Sequence, residues 1–137
     1  MPHIARVREI LAAGTLGDLV YLTAEHGQWW FAADPRFRLF APDLGGGALL
    51  DLGIYPVSFA SLVLGGPARI TAVSDPAFTG VDATTSMIFQ YHGGAHAVLT
   101  TTLRAASGNP AAMPGAGCAA RPPRRPAVFG RGCSRAR

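Results

Sequence analysis

At 137 residues the chain has the length of one domain, and with 49% hydrophobic residues it carries enough apolar surface for a core. Its formal charge of +4 is unevenly placed: residues 1–107 hold six Arg against eight Asp and Glu, while residues 108–137 hold six Arg and no acid. A basic, nucleic-acid-binding body is thereby excluded, and the question attaches only to the final segment.

In chain order, Pro2 to Leu11 reads as a helix with Ile4, Val7, Ile10 and Leu11 on one face and Arg6 and Glu9 off it. Pro2 suits a first helical turn, and Gly14 suits the end. Leu19 to His26 is rich in β-formers and predicts a strand. Residues 28–44 contain Asp34-Pro35 and Ala41-Pro42-Asp43, which break both periodicities and predict a long ordered loop. After Gly45-Gly46-Gly47, a short helical turn over Ala48 to Leu52 is expected, because Pro56 is tolerated only in a first turn. The main helix then starts near Gly53 or Ile54 and stops at Gly65-Gly66-Pro67. Strands are expected at Arg69–Val73, Thr84–Tyr91 and Ala95–Leu103, the last two joined by a hairpin at Tyr91-His92-Gly93-Gly94. The order predicts an α+β layer, an antiparallel or mixed sheet with helices on one face, and not a doubly wound fold.

From Gly108 onward the periodicity ends. The Arg/Pro/Gly-rich segment 108–137 lacks the apolar content that offsets ordering entropy, and it is expected to be a disordered tail. The chain contains no lysine, in keeping with GC-rich coding DNA, and the segment reads as frame-shifted, non-native sequence. Both cysteines, Cys118 and Cys133, fall in it and form neither a disulfide framework nor a zinc pattern. A reducing, cytoplasmic setting is the expectation. No signal peptide is apparent, and the longest apolar run, Ser58 to Leu64, is too short to span a bilayer. Neither nucleic-acid nor membrane partners are expected.

The chemistry concentrates at Gly45 to Phe59. Asp51 and Tyr55 are four residues apart, so on a helix they share a face. A carboxylate beside a phenol is a plausible proton-transfer pair. The same residues equally suit a helix cap and a half-buried packing residue, and spacing alone leans to that second reading. Trp29, Trp30 and Phe31 could stack on a ring or anchor the loop. Arg36 and Arg38 could bind substrate or pair with neighbours such as Asp34 and Asp43. His26 ends its strand beside the loop and is a candidate pocket residue. His92 and His96 belong to a solvated hairpin, and no His, Asp and Glu grouping has metal-ligand spacing.

The segment GGGALLDLGIYPVSFASLVLGG, with Thr15-Leu16-Gly17-Asp18 upstream, resembles the signature of the Gfo/Idh/MocA oxidoreductases. It is most similar to the branch holding dihydrodiol dehydrogenases and NADP-dependent D-xylose dehydrogenases. The resemblance covers about Pro2 to Ser107. It implies the second, α+β domain of such an enzyme, incomplete, with a mostly antiparallel open sheet and without the Rossmann domain. Gly45-Gly46-Gly47 is no dinucleotide fingerprint, since Leu50 holds the third-glycine position. The family's E-K-P lysine has no counterpart here. The resemblance implies Tyr55 as proton donor or acceptor and Asp51 as its acidic companion, while Trp29, Trp30, His26 and Arg38 are the substrate-side candidates that the loop and strand themselves offer. It implies NADP or NAD as the enzyme's cofactor, bound weakly if at all by this chain, whose isolated activity is expected to be lost. A small sugar or diol is the implied substrate, and a homo-oligomer through the sheet the implied assembly. The alternative is a non-catalytic dimerisation or binding module.

Overall fold

The computed structural model describes residues 2–30 and 34–114. Helix α1 spans Pro2–Ala12, with Ile4, Val7, Ile10 and Leu11 half-buried and the polar positions exposed, as the periodicity predicts. It closes on Gly14, whose left-handed φ of 63° lets its N–H reach the Leu11 carbonyl at 3.1 Å. Strand β1 spans Tyr21–Gly27. The loop after it is ordered by two 3₁₀ turns, Arg38–Phe40 and Pro42–Leu44, and the first of these buries Leu39 and Phe40.

Helix α2 is a single turn, Ala48–Asp51, and α3 runs Ile54–Leu64. The break between them follows from Pro56. Proline has no N–H to offer the Leu52 carbonyl, and the Tyr55 N–H takes that carbonyl instead at 3.2 Å. Gly65, with φ 77°, ends α3. Strands β2 (Arg69–Pro76), β3 (Asp82–Gln90), β4 (His96–Thr102) and β5 (Ala111–Ala112) complete the chain.

The sheet order is β2-β3-β4-β1-β5. β1 lies parallel to β4, and the other three pairings are antiparallel. This is the expected open α+β sheet. Alternation divides it cleanly. Leu22 and Ala24 of β1, Met87 and Phe89 of β3, and Ala97 and Leu99 of β4 point to the helix side and bury around Ala60 of α3. Thr71, Val73, Ser86, Ile88, Val98 and Thr100 line the other face as a shallow apolar trough. A second, smaller core joins Leu39 and Phe40 of the loop to Ala48 of α2, to its C-cap Leu52, and to Val81 and Leu103 at the strand ends. The first core seats α3 and the second seats α2, so the junction between the two helices is anchored on both sides.

One expectation is corrected. Disorder was expected from Gly108, yet Ala111 and Ala112 pair with Ala24 and Thr23 and cover the free edge of β1. The reason is backbone hydrogen bonding, which asks nothing of hydrophobic content. The Ser107 hydroxyl accepts the Gly27 N–H at 2.9 Å, and Asn109 Oδ1 shares that N–H at 3.2 Å. Asn109 adopts the left-handed φ of 49° that the bend requires. The rest of the expected tail, with Cys118 and Cys133, and Phe31 in the loop, lie outside the described residues.

Candidate active site

Tyr55 sits in the first turn of α3, and 62% of its surface is open. Its ring meets the His26 ring, centroids 5.0 Å apart and tilted by 46°. His26 reaches it because positions 22, 24 and 26 of β1 share the helix-facing side of the sheet. The same ring lies 3.4 Å from Gln28 Nε2 through its own Nε2. His26, Tyr55, Pro56 and Phe59 wall a cleft of about 150 Å³, whose far side is the Asn109-Pro110 bend. The cleft is therefore built by a strand, a helix start and a segment read from sequence as tail.

Asp51, at the end of α2, is engaged by Arg38 rather than by Tyr55: Arg38 Nη2 lies 2.6 Å from Asp51 Oδ1. The Asp51 side chain is 21% exposed and that of Arg38 59%, so solvent reaches the pair mainly from the arginine end. The other loop arginine, Arg36, pairs with Asp34 at 3.0 Å. That guanidinium, with the Arg36 backbone N–H, holds the Asp34 carboxyl below its ordinary pKa.

Trp29 and Trp30 belong to a separate place. With Phe40, Phe78, Leu103 and Arg104 they line a cleft of about 200 Å³ over the second core. Trp30 packs on Phe37 with ring centroids 5.0 Å apart, and its backbone N–H donates to the Leu103 carbonyl at 3.2 Å. Both observations describe a loop anchored to the sheet. His92 and His96 are exposed at the hairpin. Sequence reading missed Gln28, Asn109 and Asp82, whose contacts span from two to 82 positions in the chain.

The glycine triplet is occupied by the protein itself. A Cβ on Gly46 would come within 2.7 Å of the Leu39 carbonyl, 2.8 Å of Arg38 and 2.9 Å of Ala41, while one on Gly47 would overlap the Asp82 carboxylate. Carbonyl oxygens and a carboxylate repel a phosphate, so this triplet does not fit a dinucleotide's pyrophosphate. What the described residues do offer is an open phenol beside an imidazole, with an Arg–Asp pair one turn away.

The GFO/IDH/MocA C-terminal domain model matches residues 4–125. The chain belongs to the Gfo/Idh/MocA family. The match runs past Ser107 into the Arg/Pro/Gly-rich segment. Over 116 residues the chain is 40% identical to trans-1,2-dihydrobenzene-1,2-diol dehydrogenase of Bos taurus, covering 83% of this chain and 34% of that protein. The Mus musculus enzyme of the same name is 41% identical over 104 residues, 74% of this chain and 30% of the relative. This Gfo/Idh/MocA chain thus spans about a third of the length of the curated relatives it matches. Among solved structures, aldose-aldose oxidoreductase from Caulobacter crescentus superposes with a TM-score of 0.74 at 24% identity, covering 82% of this chain and 35% of that one. A 3-ketoreductase from Actinomadura kijaniata, solved with TDP-benzene and NADP, gives 0.69 at 24% identity over 85% of this chain and 34% of its own. Those likenesses establish the fold as that of the Gfo/Idh/MocA C-terminal domain.

Proposed function

We propose that the chain is the substrate-side part of an NAD(P)-dependent oxidoreductase acting on a CH–OH group of a sugar or a trans-dihydrodiol. Tyr55 takes the hydroxyl proton in oxidation and returns it in reduction. The observation that carries this reading is the placement of Tyr55. It sits at a helix start, 62% exposed, lining a cleft, and its hydroxyl makes no hydrogen bond among the described residues. A phenol kept for packing would bury its ring, and a buried one would pair its hydroxyl. A proton donor to an incoming alcohol needs the opposite, an accessible and uncommitted oxygen.

The nicotinamide, held by parts of the enzyme this chain does not contain, supplies the hydride acceptor when bound. On this side, His26 fixes the tilt of the Tyr55 ring, and the Arg38–Asp51 pair offers polar groups to substrate hydroxyls. Trp29 and Trp30 line the separate cleft over the second core and are kept as candidate substrate-side residues. NADP or NAD binds weakly at most to these 137 residues alone, since the glycine triplet is filled by carbonyls.

Two measurements test the reading. The isolated chain should show no NADP-dependent oxidation of a trans-dihydrodiol and no melting shift with NADP, whereas saturation at 100 times Kd would add about 2.7 kcal/mol. Either signal would sink the division of labour. In an enzyme completed with a nucleotide-binding domain, Tyr55→Phe should lower kcat about 10²- to 10⁴-fold, the usual worth of a general acid or base.

A non-catalytic module is the second reading, and one observation favours it. The sheet face away from the helices exposes Tyr21, Val73, Ile88 and Val98, with Val73 at 74%. An apolar face of that kind marks an interaction surface. A dimer in light scattering, together with unchanged kcat in the Tyr55→Phe enzyme, would decide for it. Among the described residues no single helix is long and apolar enough to cross a membrane.

A further inference from the structure

Helix α2 has only four residues, too few to hold an orientation by its own hydrogen bonds. Its N-cap, Gly47, has no side chain with which to satisfy the first N–H groups. The missing cap comes from elsewhere in the chain. Asp82, at the start of β3, accepts the Leu49 N–H on Oδ2 at 2.8 Å, and the same oxygen accepts the Thr85 hydroxyl at 2.7 Å. Thr85 is 2% exposed and is bonded in turn to Ser74 Oγ at 2.8 Å. The Asp82 carboxylate fills the space that a Cβ at Gly47 would need, which explains glycine there together with its φ of 115°.

The register extends this arrangement to the cleft. Ser74 pairs with Thr85, Thr85 with Thr101, and Thr101 with His26, one helix-facing row across four strands. Asp82 is tied to that row at Thr85, its second member, and His26 stands at the far end. The sheet thus carries both the clamp on the entry to α2 and the ring that meets Tyr55. Between clamp and Tyr55 the backbone is continuous helix-like turn: Asp51 N–H bonds the Gly47 carbonyl at 3.3 Å, Gly53 bonds Ala48 at 2.9 Å and Tyr55 bonds Leu52 at 3.2 Å.

We infer that Asp82 is a positioning residue for the candidate active site. Its carboxylate sets α2 on the sheet, and through α2 it sets Asp51 toward Arg38 and the Tyr55 ring against His26. It touches no reacting atom. The inference builds on the proposed role of Tyr55, but its test reads geometry and not turnover, so the two can fail separately.

The test is NMR on the full 137-residue chain and its Asp82→Ala and Asp82→Asn variants. In Asp82→Ala, exchange of the Leu49 amide should quicken about ten- to hundredfold, the worth of a hydrogen bond to a charged acceptor. The His26 and Tyr55 ring resonances should shift in the same variant, because the 5.0 Å ring contact is lost or loosened. Asp82→Asn keeps an acceptor oxygen and should restore both the Leu49 protection and the ring shifts. The inference is overturned if Asp82→Ala folds and frees the Leu49 amide while both rings keep their native resonances. Should Asp82→Ala fail to fold, Asp82→Asn decides: native ring shifts support the role, and displaced rings with Leu49 still protected refute it.

Discussion

Gly46→Ala is the perturbation of the glycine triplet that tests its packing alone. Gly46 lies in the hairpin between the second 3₁₀ turn and α2, its N–H bonded to the Ala41 carbonyl at 3.0 Å, while Gly47 N–H bonds Leu39 at 2.8 Å. Its backbone φ is ordinary, so the expected cost is steric and not conformational. A Cβ there meets three carbonyl oxygens at 2.7–2.9 Å, all closer than carbon and oxygen normally approach. All three belong to the backbone of residues 38–41, and that backbone is pinned by Leu39 at 1% and Phe40 at 6% exposure. The clash therefore cannot be relieved by rotating a side chain, and the turn must move out of the second core. Overpacking of this kind costs about 1–3 kcal/mol, and three rigid contacts place the expectation near 2–3. At about 3–5 °C per kcal/mol for a chain of this length, the melting temperature should fall by roughly 6–15 °C. Circular dichroism melts of Gly46→Ala beside Gly66→Ala provide the comparison, since a Cβ on Gly66 meets nothing within 4 Å. If Gly46→Ala melts within about 2 °C of the parent, a difference below about 0.5 kcal/mol, the packing account of the triplet is wrong.

Tyr55→Phe should change the stability by less than about 0.5 kcal/mol, because Tyr55 is exposed and its hydroxyl makes no hydrogen bond among the described residues. A loss above about 1 kcal/mol would mean that the hydroxyl is a structural group after all. Arg38→Gln should cost less than about 1 kcal/mol, since one end of its ion pair with Asp51 is well exposed, and the difference should shrink when salt is raised to about 1 M. For Asp34, whose carboxyl is held below its ordinary pKa by Arg36, the pair's contribution is complete above the unfolded value. It is lost as pH falls through the depressed folded value. Carboxyl ¹³C titration should place the Asp34 midpoint below that of an unfolded reference, and Arg36→Gln should bring it back up.

Much of the local structure was legible because it depends on near neighbours. The apolar spacing of α1, the stop at Gly14, the break enforced by Pro56 and the hairpin at Tyr91 to Gly94 each follow from residues within one or two turns of the feature. Alternation in β3, with Met87 and Phe89 buried and Ile88 exposed, is a local pattern of the same kind. The motif around Asp51 and Tyr55 was visible as a string. Its spacing suggested a shared face and a mutual contact, whereas Asp51 turns to Arg38 and Tyr55 to His26.

Those partners lie outside the reach of any local rule. Arg38 and His26 come from a loop and a strand, and the cap of α2 comes from a residue 33 positions beyond Leu49. The strand at Ala111–Ala112 was unreadable for a related reason. Edge pairing is made by backbone groups that every residue carries, so composition does not encode it. By itself, then, the sequence determined the helices and every strand but the last, and that a tyrosine sits at a helix start in an oxidoreductase-like segment. Only the tertiary structure decided what that tyrosine faces, because sheet register, and not chain proximity, brings His26, Thr85 and Asp82 beneath the same two helices.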